Sequence, residues 1–144
     1  MGKRGAKFMN QRIAVIDLGS NSARLIIVEI YPNRAYNLIY HQKETIRLSQ
    51  DADKDRLLQP DAMKRAMTLL QNFSHVCRLH QVTTTLAVGT AALRNAHNGL
   101  EFVKTVQEET GIIIKIISGE TEAKLGYIGA INTLDVTDAV LFDL

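Results

Sequence analysis

The chain has 144 residues, 46% of them hydrophobic and 22% charged, with a formal net charge of +2. This composition indicates a globular domain with a real core and excludes a disordered chain, while the small charge gives no argument for nucleic-acid binding. No run approaches the roughly 18 apolar residues of a membrane span, and the single cysteine, Cys77, excludes an internal disulfide and fits a cytoplasmic location.

A pair of strands is predicted at the start of the folded part. Residues 1–11 are predicted to form a basic flexible tail, and Arg12 is expected to be solvated with it, so that residues 12–144 form the domain. Two runs rich in Ile and Val follow between residues 13 and 30. Because β-branched side chains favour a pleated, half-buried surface, both runs are predicted to be strands.

The polar turn between these strands has the composition of an anion site. Asp17 ends the first strand, Gly19 lets a ligand approach the backbone, and three polar residues follow, Ser20, Asn21 and Ser22. Backbone N–H groups in such a turn can hold an anion, and Asp17 would then hold Mg²⁺ through water. The alternative is a tight turn whose polar side chains only satisfy neighbouring backbone groups.

A third strand and a long helix are predicted next. Alternation of apolar and polar residues over residues 35–48 predicts a strand that completes an antiparallel meander. Pro60 then begins a helix, at the first helical position, where its missing N–H costs nothing. The apolar stripe of this helix includes Cys77, which is therefore predicted to be a small buried hydrophobe rather than a nucleophile.

The second half of the chain alternates strands with helices. Strands are predicted over residues 82–88, 112–117 and 139–143, and the second of these is expected to be covered on both faces because it is almost continuously apolar. This alternation predicts a mixed sheet packed against helices.

The helix boundaries in this half carry recognisable signals. Asn98, with Glu101 three residues later, predicts a capping box at the start of one helix, and Gly111 is expected to end it. Ser118 is predicted to be the N-cap of the last helix.

Polar residues follow three of the predicted strands, the first, fourth and fifth, which suggests that they share one edge of the sheet. Besides the turn at residues 17–22, Thr90 and Arg94 follow the fourth strand, and Glu120 and Glu122 follow the fifth. Phosphoryl transfer needs a donor-rich cradle, a metal, a cation and a group that orients the nucleophile. Each residue alone has a structural explanation, such as a solvated cation or a carboxylate that complements a helix dipole, and spacing does not name the reaction.

Three segments together resemble the exopolyphosphatase / guanosine pentaphosphate phosphohydrolase (Ppx/GppA) family. They are Asp17-Leu-Gly-Ser-Asn-Ser22, Gly89-Thr-Ala-Ala-Leu-Arg94 and Ile116-Ile-Ser-Gly-Glu-Thr-Glu122. The resemblance implies an α/β fold of the ribonuclease-H-like class, shared with actin, sugar kinases and heat-shock ATPases. One lobe of that fold is expected, with a mixed sheet and helices on both faces.

The resemblance also implies a role for each candidate residue. Glu122 would be the base that activates water, and Arg94 would contact phosphate beside it. The segment Gly19, Ser20, Asn21, Ser22 would cradle phosphate with Thr90. Asp17 and Asp143 would support Mg²⁺ from opposite sides of the cleft, whereas Glu120 is uncertain because the family varies there.

The implied reaction is hydrolysis of a terminal phosphoanhydride of inorganic polyphosphate by Mg²⁺-assisted attack of water. Alternatives are guanosine pentaphosphate as substrate, a non-catalytic anion-binding module, and an ATP-dependent sugar or acetate kinase. No nucleic acid or membrane partner is expected, and a homodimer of the full-length protein stays open. Family members continue into a Gly-rich second phosphate loop and a second domain. Residues 12–144 are therefore expected to be the N-terminal lobe alone, with little or no turnover.

Overall fold

The structure is a computed structural model that describes residues 10–32, 35–50 and 55–133, without the side chains of residues 130–133. Its elements are β1 (Gln11–Leu18), β2 (Ser22–Ile30), β3 (Tyr36–Thr45), α1 (Pro60–Leu79), β4 (Thr84–Gly89), α2 (Ala91–Asn95), α3 (Gly99–Thr110), β5 (Ile114–Ile116) and α4 (Gly119–Thr133). Within these ranges, no helix has the length and apolar character needed to cross a membrane.

The five strands form one mixed sheet in the order β3-β2-β1-β4-β5. β1, β2 and β3 pair antiparallel, which is the predicted meander, because short connections join them. β4 pairs parallel with β1, and β5 pairs parallel with β4, because helical crossovers return the chain to the same edge. The carboxyl ends of β1, β4 and β5 therefore lie together at one edge of the sheet.

Helices α1, α2 and α3 cover one face of this sheet. Alternate residues of β1, namely Ala14, Ile16 and Leu18, are fully buried, as period-two side-chain direction requires. Leu70 and Phe73 of α1 are equally buried in the same hydrophobic cluster. The packing of this core holds in place the carboxyl ends of β1, β4 and β5, which the candidate site residues follow.

Pro60 and Cys77 occupy the places in α1 that the sequence predicts. Pro60 is the first residue of the helix. Cys77 is 8% exposed in the core, and this burial raises the pKa of its thiol because a thiolate would be poorly solvated there. Cys77 is thus a small buried hydrophobe, as predicted.

The other face of the sheet is apolar and partly open among the described residues. Val15 of β1 is 38% exposed, and its neighbour in register on β4, Leu86, is 55% exposed. The prediction that the fifth strand is covered on both faces is wrong, since Ile113 and Lys115 are exposed while Ile114 is buried. The physical reason is that, among the described residues, helices pack against only one face of the sheet, and Ile113 and Lys115 lie on the other face.

Two predicted helix boundaries are observed, and the capping box is not. Gly111 ends α3 with a left-handed φ of 74°, and Ser118 Oγ accepts a hydrogen bond of 3.1 Å from the backbone N–H of Thr121. Asn98 does precede α3, but its side chain bonds the backbone of Leu58 instead of capping. The Leu58 N–H donates to Asn98 Oδ1 at 2.8 Å, and Asn98 Nδ2 donates to the Leu58 carbonyl at 3.1 Å.

Arg12 lies in β1, so its expected place in a solvated tail is wrong. Its Nε is 3.3 Å from Glu29 Oε1 of the neighbouring strand, and its guanidinium donates to the His80 carbonyl at 2.9 Å. Both partners are distant in the sequence, which is why composition alone misplaced it. Residues 1–9 and the strand predicted over residues 139–143 lie outside the described residues.

Gly99 packs directly against the backbone of Leu93, because a Cβ at this position would overlap the Leu93 carbonyl. Gly99→Ala is expected to lower the free energy of unfolding by about 2 kcal/mol, since backbone cannot yield as a flexible side chain can. Gly129→Ala is the matched control, because nothing lies within 4 Å of a Cβ there and alanine favours a helix. Urea denaturation compares the three proteins, and equal stability of Gly99→Ala and wild type would contradict this close packing.

Candidate functional site

The turn between β1 and β2 is tight, and its backbone is closed by one hydrogen bond. The Gly19 N–H donates to the Ser22 carbonyl at 3.0 Å. A Cβ at Gly19 would lie 3.2 Å from that same oxygen, so glycine permits the closure without pressing on the turn. Glycine at position 19 therefore allows the turn to close tightly.

Residues 46–49, which follow β3, are hydrogen-bonded to the backbone of this turn. The Ile46 and Arg47 N–H groups donate to the Asn21 carbonyl at 2.8 and 2.9 Å, and the Ser49 N–H donates to the Ser20 carbonyl at 3.1 Å. These bonds occupy carbonyl oxygens that would otherwise repel an anion. The carbonyl oxygens of Ser20 and Asn21 are therefore paired, and residues that are distant in sequence help to fix the shape of the turn.

Arg94 of α2 and Glu122 of α4 contact each other at the same sheet edge. The Arg94 guanidinium donates to the Ile117 carbonyl at 2.7 Å and lies 3.3 Å from Glu122 Oε2. Both side chains are about one-third exposed, at 30% and 34%. A cation and a carboxylate are therefore brought together where solvent and a ligand can reach them.

Local structure explains why Glu122 is held there. The hydroxyl of Ser118 caps α4, and the Glu122 N–H donates to the Ser118 carbonyl at 2.9 Å, so the first turn of the helix is fixed. Glu120 lies in the same turn and is exposed, whereas Glu122 makes the contact with Arg94. The structure thus distinguishes two carboxylates that the sequence places side by side.

Thr90 links the turn to the helix that carries Arg94. It is 7% exposed, its N–H donates to the Leu18 carbonyl at 3.2 Å, and its carbonyl accepts from the Arg94 N–H at 2.9 Å. β1 and β4 run parallel with Leu18 opposite Gly89, so their ends are level. The parallel register is what brings the turn and Arg94 to neighbouring positions.

One of the two carboxylates expected to support Mg²⁺ can be placed. Asp17 is exposed at the end of β1, opposite Arg24 of β2 and Val88 of β4, while Asp143 lies outside the described residues. Among the described residues, no three His, Cys, Asp or Glu side chains form a metal-binding group. Mg²⁺ commonly takes one or two carboxylates and completes its shell with water and substrate phosphates, so Asp17 fits such a role.

A groove of about 280 Å³ adjoins the turn on another side of α2. It is lined by Ser20, Ser49, Arg56, Ala91, Ala92, Asn95 and Ala96. The sequence did not single out Ser49, Arg56 or Asn95 as candidate site residues. No spacing signal marks them, because they meet only after the chain folds.

Comparison with known proteins matches this chain to one family. A family model described as the Ppx/GppA phosphatase family matches residues 26–144. A bifunctional 3-dehydroquinate synthase/phosphatase of Fusobacterium nucleatum is 31% identical over 129 residues, which cover 85% of this chain and 19% of that protein.

Solved structures give the same result for the fold. The crystal structure of the Aquifex aeolicus Ppx/GppA family member matches 89% of this chain and 42% of that chain, with a TM-score of 0.82 and 27% identity. An exopolyphosphatase from Cytophaga hutchinsonii matches 80% of this chain and 36% of that chain, with a TM-score of 0.76 and 30% identity. These similarities confirm the predicted α/β fold class, and the chain spans less than half the length of these relatives.

Proposed function

We propose a function for this chain from the fact that it belongs to the Ppx/GppA phosphatase family. It forms one lobe of a phosphoanhydride hydrolase, and this lobe carries the first phosphate-binding turn and the catalytic base. The substrate that we assign to the complete enzyme is inorganic polyphosphate, and a similar protein of Cytophaga hutchinsonii is named an exopolyphosphatase. By the complete enzyme we mean this lobe joined to the second lobe that the family resemblance implies.

The observation that carries this proposal is the contact between Arg94 and Glu122 beside the turn. The two groups lie 3.3 Å apart, and α2, which bears Arg94, is tied to the end of β1 through Thr90. A cation for phosphate oxygens and a carboxylate for a water proton are the two side chains that hydrolysis of an anhydride needs. Neither side chain is buried, so a ligand can reach both and replace the contact between them.

A residue of this chain can be assigned to each step of the proposed hydrolysis. Water attacks the terminal phosphorus in line with the bridging oxygen, and Glu122 takes the proton that water loses. Arg94 offsets the charge on the transferred oxygens through two N–H groups. The turn that Gly19 closes holds those oxygens through the hydroxyls of Ser20 and Ser22 and the side-chain amide of Asn21, so the geometry is set before the anhydride bond breaks. The products are orthophosphate and a polyphosphate shortened by one unit.

Asp17, with Asp143, would hold Mg²⁺ through water. When bound, Mg²⁺ would neutralise charge on the substrate oxygens.

Release of orthophosphate tests the function directly. The complete enzyme with Mg²⁺ is expected to release orthophosphate from polyphosphate without any acceptor, whereas a sugar or acetate kinase would require one. The 144-residue chain alone is expected to show little or no turnover, because one wall of a cleft neither excludes water nor clamps substrate. Guanosine pentaphosphate and ATP with an acceptor are measured in parallel. Acceptor-dependent transfer, or no release from any anhydride, would refute the proposal.

A further inference from the structure

The groove of about 280 Å³ beside the turn shares Ser20 with it. Ala91 and Asn95 are four residues apart in α2, so both face the groove, while Arg94 points from the same helix to Glu122. A ligand whose end group lies at the turn could therefore extend into the groove. The groove therefore continues from the proposed phosphate turn, with Ser20 common to both, and does not include Arg94 or Glu122.

The side chains that line this groove suit an anion rich in oxygen. Among the residues that the structure describes, Arg56 supplies a cation to the lining, Asn95 an amide, and Ser20 and Ser49 hydroxyls, and none of these described lining residues is acidic. None of the described lining residues is aromatic either, so they offer a nucleobase no ring to stack on. The lining thus favours phosphate groups over a nucleoside.

The backbone at Arg56 is held firmly although its side chain is exposed. The Arg56 carbonyl accepts a hydrogen bond of 2.8 Å from the His97 N–H. Two residues after Arg56, both the N–H and the carbonyl of Leu58 are hydrogen-bonded to the side chain of Asn98. Arg56 also has a φ of 49°, a left-handed conformation that is uncommon outside glycine. Strained backbone of this kind persists where the surroundings over-determine it. The backbone that carries the Arg56 guanidinium is therefore held in place where this residue lines the groove.

We propose that this groove binds the phosphate groups of the substrate chain that lie beyond the one being hydrolysed, and that Arg56 is the cation that recognises them. This inference rests on the proposed function, since it assumes that the end phosphate lies at the turn. It assigns to Arg56 a positioning role in the selection of substrates by chain length. Arg94 and Glu122 keep their roles at the end phosphate.

Isothermal titration of the 144-residue chain with orthophosphate and with tripolyphosphate tests the inference. Tripolyphosphate is expected to bind wild type more tightly than orthophosphate does, because only it reaches the groove. Arg56→Asn is expected to weaken tripolyphosphate binding about tenfold while orthophosphate binding is unchanged. Asparagine tolerates the left-handed conformation, so this variant removes the charge and keeps the fold, as circular dichroism would verify. Arg56→Lys is expected to lose less, since it keeps the charge.

Lys104→Gln is the control, because Lys104 is an exposed cation of α3 that does not line the groove. Unchanged tripolyphosphate affinity in Arg56→Asn, with orthophosphate still bound, would overturn the groove assignment alone. Equal weakening of both ligands would also overturn it. If wild type bound neither anion, the proposed phosphate turn itself would fail. Displacement of tripolyphosphate by guanosine would show a nucleoside site and contradict the phosphate assignment.

Discussion

Glu122→Gln is expected to reduce orthophosphate release by the complete enzyme by roughly 10²- to 10⁴-fold, which is what a general base usually contributes. Glutamine has nearly the same shape and can keep a hydrogen bond to Arg94, but it cannot accept the proton of the attacking water. Substrate affinity is therefore expected to change little. Initial rates at saturating polyphosphate, together with a dissociation constant, separate the two effects.

Glu120→Gln is the matched control for this prediction. Both carboxylates lie in the first turn of α4, so each substitution removes a similar interaction with the helix dipole, worth about 0.3–1 kcal/mol. Only Glu122 contacts Arg94. Near-normal turnover in Glu122→Gln, or a comparable loss in Glu120→Gln alone, would show that the base has been misassigned.

Arg94→Gln is expected to lower kcat/KM for polyphosphate by roughly 10²- to 10³-fold, the range seen when one donor to a developing negative charge is removed. Arg94→Lys is expected to recover only part of this loss, because lysine keeps the charge but cannot offer two parallel N–H groups to one phosphate. Kinetics of the complete enzyme with both variants measure the effect. The binding of orthophosphate should weaken in the same order.

A structural role for Arg94 must be separated from this chemical role. Its guanidinium also donates to the Ile117 carbonyl at the end of β5, so its loss is expected to cost about 1 kcal/mol of stability. Thermal unfolding of the variants measures that cost. If Arg94→Gln folded stably and still turned over polyphosphate at the wild-type rate, the assignment of Arg94 to the phosphate would be wrong.

Errors in the sequence prediction share one cause, which is a partner far away along the chain. Asn98 has the spacing of a cap, but the loop at Leu58 offers both an N–H and a carbonyl and takes its side chain. Arg12 belongs to a charged N-terminal segment, but Glu29 on the paired strand holds it in the sheet. An apolar run at residues 112–117 does not reveal that, among the described residues, no helix packs on one face of its strand. Local pattern carries no information about which neighbour will be present.

Features that depend on neighbouring residues were determined by the sequence alone. Pro60 at the start of α1, Gly111 at the end of α3 and the Ser118 cap follow from backbone preferences within a few residues, and the strand–turn–strand around residues 17–22 follows from its composition. The family resemblance already paired Glu122 with Arg94, but only the tertiary structure showed that these side chains, 28 residues apart, are in direct contact, and that Arg56 lies beside the turn. The reason is that these contacts depend on strand order and parallel register, which are set by packing of the whole core rather than by spacing along the chain.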